Sequence, residues 1–310
     1  MKAFVLDDFD APPAARDDMP PPTPEASDVV VRVHASSATP ADAAIAAGMV
    51  KGMAEHRFPV TLGRDYAGAV ESVGADVTRY APGDEVFGFV PMMNPDVRDG
   101  AWAELITVPE DAHIARKPSG LDFAAAGAAP LSAITALGSI DAVDLTEGDT
   151  VLIIGATGGV GTFAVQLAAS AGATVVASAL AEDEAYLREL GVAEFVPREG
   201  DVSAEVRQRY PDGVDALIDL VSFGAPGTYE PALKEGGRVA SSVNAAGEGP
   251  GRTNVVAVPS PENLERVARL LEAGDLGVRI QRTYELEDAG LALQDLAARH
   301  TRGKLAVRVA

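Results

Sequence analysis

The chain has 310 residues, 47% hydrophobic and 23% charged, which is globular composition and long enough for more than one core. Asp and Glu total 46 against 25 Lys and Arg, and the net charge of -21 repels phosphate backbones and anionic lipid, arguing against nucleic-acid or membrane binding. Cysteine is absent, which excludes disulfides, thiolate zinc sites, iron–sulfur clusters and a cysteine nucleophile.

Met1 to Leu6 reads as a short strand, since a secretory signal needs a longer apolar run behind its positive charge. No uncharged apolar run reaches the roughly 18 residues that a membrane-spanning helix needs, so a cytoplasmic protein is expected. Pro20 to Pro24 is a surface loop. Val29 to Ala35 and Tyr66 to Val73 read as strands, and Pro82-Gly83-Asp84 is a tight turn before a third, Glu85 to Val90. Many short strands separated by Gly and Pro predict a barrel-like β domain.

After Pro118 the texture changes. Apolar strands at Thr150–Ile154, Thr174–Ala177, Val214–Ile218 and Gly237–Ser241 alternate with Ala-rich helical segments, among them Val160–Ala171, stopped by Gly172. Strands apolar on both faces and separated by helices predict a parallel, doubly wound sheet. Pro261–Ala273 is a further helix, ended by Gly274, and the tail from Val278 runs strand, helix, strand, its last strand returning to complete the β domain. The predicted division is therefore 1–116 with 276–310 as a β-barrel domain, and 117–275 as a Rossmann domain.

The strongest local signal is Gly155-Ala156-Thr157-Gly158-Gly159-Val160-Gly161, lying between a strand and a helix. A pyrophosphate needs backbone N–H groups at a helix N-terminus with no side chain in the way. Gly158 permits that approach and Gly161 lets the helix pack on its strand, so Ala156 to Gly161 are candidate cofactor residues. NAD sites carry an acid after the second strand to hold the ribose 2′-hydroxyl. Here Ser178 stands at that strand end, with room for a 2′-phosphate, which favours NADP(H). The next charges along the chain are Glu182, Asp183 and Glu184, with no Arg or Lys among them to meet such a phosphate.

Together these features resemble the medium-chain dehydrogenase/reductase superfamily, zinc-independent quinone oxidoreductase branch, over essentially the whole chain. Gly63-Arg64-Asp65-Tyr66-Ala67-Gly68-Ala69-Val70 resembles its G-x-D-x-A-G-x-V element, and Pro82-Gly83-Asp84-Glu85-Val86 its G-D-x-V turn. Pro130 to Ala136 resembles the helix before the cofactor strand, and Ala156 to Gly161 with Gln166 resembles the quinone oxidoreductases. The resemblance implies an α/β protein, a GroES-like β-barrel catalytic domain plus a Rossmann doubly wound parallel-sheet domain. The zinc enzymes of this superfamily use an early Cys and a G-H-E segment. Arg64 and Asp65 replace that His and Glu here, and the four histidines, at 34, 56, 113 and 300, lack ligand spacing, so no metal is expected. Without one, an already electrophilic acceptor is the fitting substrate. The resemblance thus implies an NADPH-dependent reductase of a quinone or α,β-unsaturated carbonyl. A pathway-specific enoyl reductase, or an NADPH-binding protein with a sensory role, are the alternatives, and relatives suggest a homodimer.

By the same resemblance Thr39 stands where an Asn is common near the cofactor, although Thr39 and Asp42 also suit a helix cap. Tyr66 is a candidate proton donor or a packing residue, and Asp65 is either structural or functional. Thr135 is placed near the nicotinamide or the pyrophosphate, Asn244 near the nicotinamide, and Lys304, in a closing G-K element, near phosphate. Met92, Met93 and Asn94 form a candidate wall over a flat acceptor.

Overall fold

Alternation of apolar and polar residues makes the strands of the N-terminal third, and Gly and Pro keep them short. The computed structural model describes residues 1–93, 97–298 and 300–310. It begins with β1 (Ala3–Leu6), β2 (Ala14–Arg16) and β3 (Asp28–Ala38). In β3 Val31, Val33 and Ala35 are buried while Arg32 and His34 are half-buried, the two-residue period of a sheet with one covered face. The helix α1 (Pro40–Ala46) follows, then β4 (Val60–Thr61), β5 (Asp65–Val73), β6 (Glu85–Phe89), β7 (Leu105–Pro109), β8 (Ala115–Arg116) and the short helix α2 (Phe123–Ala128). β3 is long enough to pair with β5 along one side and with β7 along part of the other. Two large apolar clusters and a small one lie in this unit: Val29, Val31, Val33, Tyr66 and Val86 in one, Phe4, Leu6, Ile45, Leu62 and Trp102 in another, and Ala3, Val5 and Ala103 in the small one.

The helix α3 (Pro130–Val143) leads to a second unit, formed by Ser132–Ala257 and Asp275–Gly277. Its strands are β9 (Thr150–Ile154), β10 (Thr174–Ala179), β11 (Glu194–Pro197), β12 (Val214–Asp219), β13 (Leu233–Ser241) and β14 (Arg252–Asn254), with α4 (Gly159–Ser170), α5 (Glu184–Leu190) and α6 (Val202–Arg209) between them. Among the described residues they form one six-stranded sheet in the order β11-β10-β9-β12-β13-β14, every pairing parallel. Val151 to Ile154 are all buried, as expected where a parallel strand is covered on both faces. Strand order reverses between β9 and β12, and ligands of such sheets bind beyond the carboxyl ends of the strands at that point.

The tail returns to the first unit. α7 (Pro261–Ala273) starts with Ser260 accepting from the Asn263 N–H at 3.2 Å and Pro261 at its first turn, and it ends at Gly274 with φ +79. β15 (Ile280–Glu285), α8 (Ala289–Ala297) and β16 (Lys304–Arg308) follow, and β16 pairs antiparallel with the end of β3. The first unit thus comprises Met1–Leu131, Val258–Gly274 and Val278–Ala310. Strand pattern alone assigns 117–275 to the parallel sheet. Packing instead groups 117–131 and 258–274 with the β unit, because the His113 N–H donates to the Pro259 carbonyl at 2.9 Å and Glu272 accepts from the Ser119 N–H at 2.8 Å. Among the described residues no helix is long and apolar enough to cross a membrane.

Candidate cofactor site and two buried ion pairs

The turn after β9 is built for close backbone approach. Gly155, at φ +86, reverses the chain, Ala156 packs inward at 1% exposure, and Thr157 to Val160 are half-buried. Gly158 caps α4 with extended backbone and no side-chain bond, leaving the positive end of a twelve-residue helix uncovered by its own cap. The glycines serve different purposes. A Cβ at Gly161 would lie 2.7 Å from the Ala156 Cα and collide with the Gly155 carbonyl, so helix-to-strand packing demands glycine there. A Cβ at Gly158 would meet nothing closer than 3.5 Å, so the fold does not require glycine at that position. Packing within the chain therefore gives no reason for the bare cap. These residues fit a dinucleotide pyrophosphate.

Ser178 lies near the end of β10, 8% exposed, opposite Ile154 of β9 and Val196 of β11. Asn244 follows β13 in the left-handed region at φ +58, and Thr135 lies within α3 at 6% exposure. All these belong to the second unit. Parallel pairing adds a residue invisible in the local sequence: the Arg198 N–H donates to the Ala179 carbonyl at 3.1 Å, so Arg198 sits beside the strand end that carries Ser178. Gln166 also proves structural in kind. Its amide accepts from the Gly277 N–H at 2.7 Å and donates to the Gly277 carbonyl at 3.1 Å, mimicking a strand partner.

Thr39, Tyr66 and Lys304 lie in the first unit. Thr39 caps α1. Its Oγ1 donates to Asp42 Oδ2 at 2.6 Å, and the same carboxylate oxygen accepts from the Thr39 N–H at 2.8 Å. The other oxygen, Oδ1, accepts from the Gly63 N–H at 2.8 Å and faces Arg64 Nε at 3.6 Å. Arg64 is 1% exposed and donates to the Thr61 carbonyl at 2.8 Å. Burial pushes the Asp42 carboxyl up, with Arg64 and Thr39 pulling against it. Tyr66 is wholly buried, and its hydroxyl donates to the His113 carbonyl at 2.7 Å. Burial also holds its ionisation well above 10.0. The hydroxyls of Thr39, placed by resemblance near the cofactor, and of Tyr66, the candidate proton donor, both donate to groups within the β unit. Tyr66→Phe is expected to lower stability by about 1 kcal/mol, one buried hydrogen bond, and to leave turnover unchanged; steady-state kinetics beside a urea melt checks it.

Lys304 meets a carboxylate, where sequence suggested a phosphate. Its Nζ lies 3.2 Å from Asp65 Oδ2, with side chains 3% and 0% exposed. Asp65 Oδ2 also accepts from Ser37 Oγ at 2.6 Å and Oδ1 from the Leu131 N–H at 2.7 Å, while Ser36 Oγ donates to the Asp65 carbonyl at 2.5 Å. Zinc is the metal this superfamily implies, and these residues do not fit it. At the G-H-E positions a guanidinium and a carboxylate stand, and each carboxylate, Asp42 and Asp65, already faces a cation. Met92 packs against the Phe4–Trp102 cluster, Met93 is 36% exposed, and Asn94 lies outside the described residues.

Two family models match: the alcohol dehydrogenase GroES-like domain over residues 25–119 and the zinc-binding dehydrogenase over 190–307. The chain belongs to the medium-chain dehydrogenase/reductase superfamily. It is 27% identical to a mitochondrial NAD(P)H oxidoreductase of Bos taurus, covering 100% of this chain and 89% of that one. It is 30% identical to a 2-methylene-furan-3-one reductase of Solanum lycopersicum over 79% of this chain and 62% of the relative. Among solved structures, a quinone oxidoreductase from Coxiella burnetii superposes with a TM-score of 0.87 at 29% identity, covering 100% of this chain and 99% of the other.

Proposed function

We propose that this protein is an NADPH-dependent reductase that transfers hydride to a quinone or an α,β-unsaturated carbonyl without zinc. The observation that carries the reading is the bare Gly158 cap at the switch point of the parallel sheet, which the fold itself does not need. When bound, the dinucleotide supplies the hydride. The chain's own residues hold and orient it: the Ala156–Gly161 backbone at the pyrophosphate, Ser178 at the adenosine ribose, and Thr135 and Asn244 toward the nicotinamide. Hydride adds to the electrophilic acceptor, and the resulting enolate or hydroquinone monoanion takes its proton from water, since Thr39 and Tyr66 each donate elsewhere. Lys304 and Asp65 stiffen the β unit that carries them. The likeness to proteins named quinone oxidoreductase and furanone reductase supports this acceptor class. A homodimer and a cytoplasmic location complete the reading.

The test follows absorbance at 340 nm with NADPH and NADH separately, against quinones, enones and saturated ketones. Oxidation of NADPH by quinones or enones, with saturated ketones inert, is the expected result. Turnover of saturated ketones alone would overturn it.

A further inference from the structure

The chain just before α3 offers that helix no cap. Gly127, Ala128 and Ala129 carry no side-chain oxygen, and Ala129 already closes α2. Pro130 has no N–H, so Leu131 is the first residue of α3 whose amide needs an acceptor. The acceptor comes from 66 residues earlier, where Asp65 Oδ1 receives the Leu131 N–H at 2.7 Å. A carboxylate there also faces the positive end of the helix dipole, away from water that would weaken the interaction.

Two further strands hold this carboxylate in place. Asp65 opens β5 and is wholly buried. Its other oxygen, Oδ2, accepts from Ser37 Oγ of β3 at 2.6 Å and faces the Nζ of Lys304, the first residue of β16, at 3.2 Å. Lys304 thus supplies the counter-charge on one side and leaves Oδ1 to the helix. Thr135 lies four residues beyond Leu131, one turn along the same face. Ser139, a turn further on, donates its Oγ to the Thr135 carbonyl at 2.8 Å. A fixed amide at Leu131 therefore sets the height and rotation of the turn that carries Thr135.

We propose that Asp65 is the N-terminal cap of α3, supplied from β5, and that it is a positioning residue for hydride transfer because it fixes the turn bearing Thr135. The inference rests on the reductase reading above, in which Thr135 is directed toward the nicotinamide. Oδ1 carries the positioning role, while Ser37 and Lys304 act through Oδ2 to hold the cap.

The experiment compares double variants of the full chain from which the buried charge pair has been removed. Asp65→Asn with Lys304→Met keeps an amide oxygen for the Leu131 N–H. Asp65→Leu with Lys304→Met removes the acceptor, and Asp65→Ser with Lys304→Met, whose shorter side chain withdraws the oxygen, is a second uncapped form. Hydrogen exchange at the amides of residues 131–135, NADPH affinity, and kcat and KM with a quinone are measured below every unfolding midpoint. The Asn form is expected to keep wild-type protection and most of the turnover. The uncapped forms should lose protection and lower kcat about ten- to a hundredfold, the scale of a misplacement near 1 Å. Their KM and NADPH affinity should stay near those of the Asn form, because the Ala156–Gly161 backbone is untouched. A cap that served folding alone would shift the unfolding midpoint and leave the kcat of folded protein unchanged. Equal kcat in capped and uncapped forms would therefore overturn the positioning role, and equal protection would overturn the cap itself. Absence of NADPH oxidation by the wild type would overturn the reductase reading and the positioning role together, while the exchange comparison still decides the cap.

Discussion

Alanine at Gly161 is expected to destabilise the second unit by about 3 kcal/mol, the upper end for overpacking, and to abolish dinucleotide binding. The added Cβ would lie 2.7 Å from the Ala156 Cα and 2.8 Å from its carbonyl carbon, and would collide with the Gly155 carbonyl. These are backbone atoms of the turn itself, which cannot swing aside as a flexible side chain could. Either α4 lifts away from β9 or the turn opens, and both disperse the amides at the helix start. Alanine at Gly158 provides the contrast. Its backbone, at φ -71 and ψ 173, suits any residue, and the nearest atom to a new Cβ is 3.5 Å away. Urea unfolding should therefore be unchanged for Gly158→Ala, while NADPH affinity falls by about tenfold or more as a charged bond to phosphate is obstructed. Equal stability losses at the two positions would mean that Gly158 serves folding, and the cradle assignment would fail.

Lys304→Met is expected to cost about 3–5 kcal/mol, because it strands the Asp65 carboxylate in the interior. Asp65 gathers chain from β3 through Ser36 and Ser37, from the start of α3 through Leu131, and from β16 through Lys304, so its loss of a counter-charge is felt at several elements at once. Asp65→Asn alone should also be costly, since it removes the carboxylate that faces the buried Lys304 ammonium at 3.2 Å. The double variant Asp65→Asn with Lys304→Met removes both charges and should recover most of the loss, giving a coupling far outside the additive range. Chemical denaturation of the four proteins at neutral pH measures it. Additive losses would show that the two groups act independently of each other.

How much of this was legible beforehand depended on range. Gly155 to Gly161 lies within seven consecutive residues behind an apolar strand, and such a signal survives in any chain that contains it. The alternation of apolar strands and helices after Pro118, the Gly274 stop of α7, and the returning strand at Lys304–Arg308 were readable for the same reason. The family resemblance rested on the short segments Gly63–Val70, Pro82–Val86, Pro130–Ala136 and Ala156–Gly161, and the family models match over residues 25–119 and 190–307. Thr39 was legible only as a choice between cap and cofactor contact, since a hydroxyl three residues before an aspartate is compatible with both until Asp42 is seen accepting it.

Composition and local pattern by themselves determined the α/β class, the glycine-rich turn between strand and helix and the absence of thiolate chemistry, because these depend on residue identity and on periods of two to four residues. Only the tertiary structure decided which charges meet. Lys304 finds Asp65 across 239 residues, Arg198 reaches the end of β10 through strand pairing, and residues 258–274 pack with the β unit. Those outcomes follow from sheet register and burial, which place distant side chains in one low-dielectric spot.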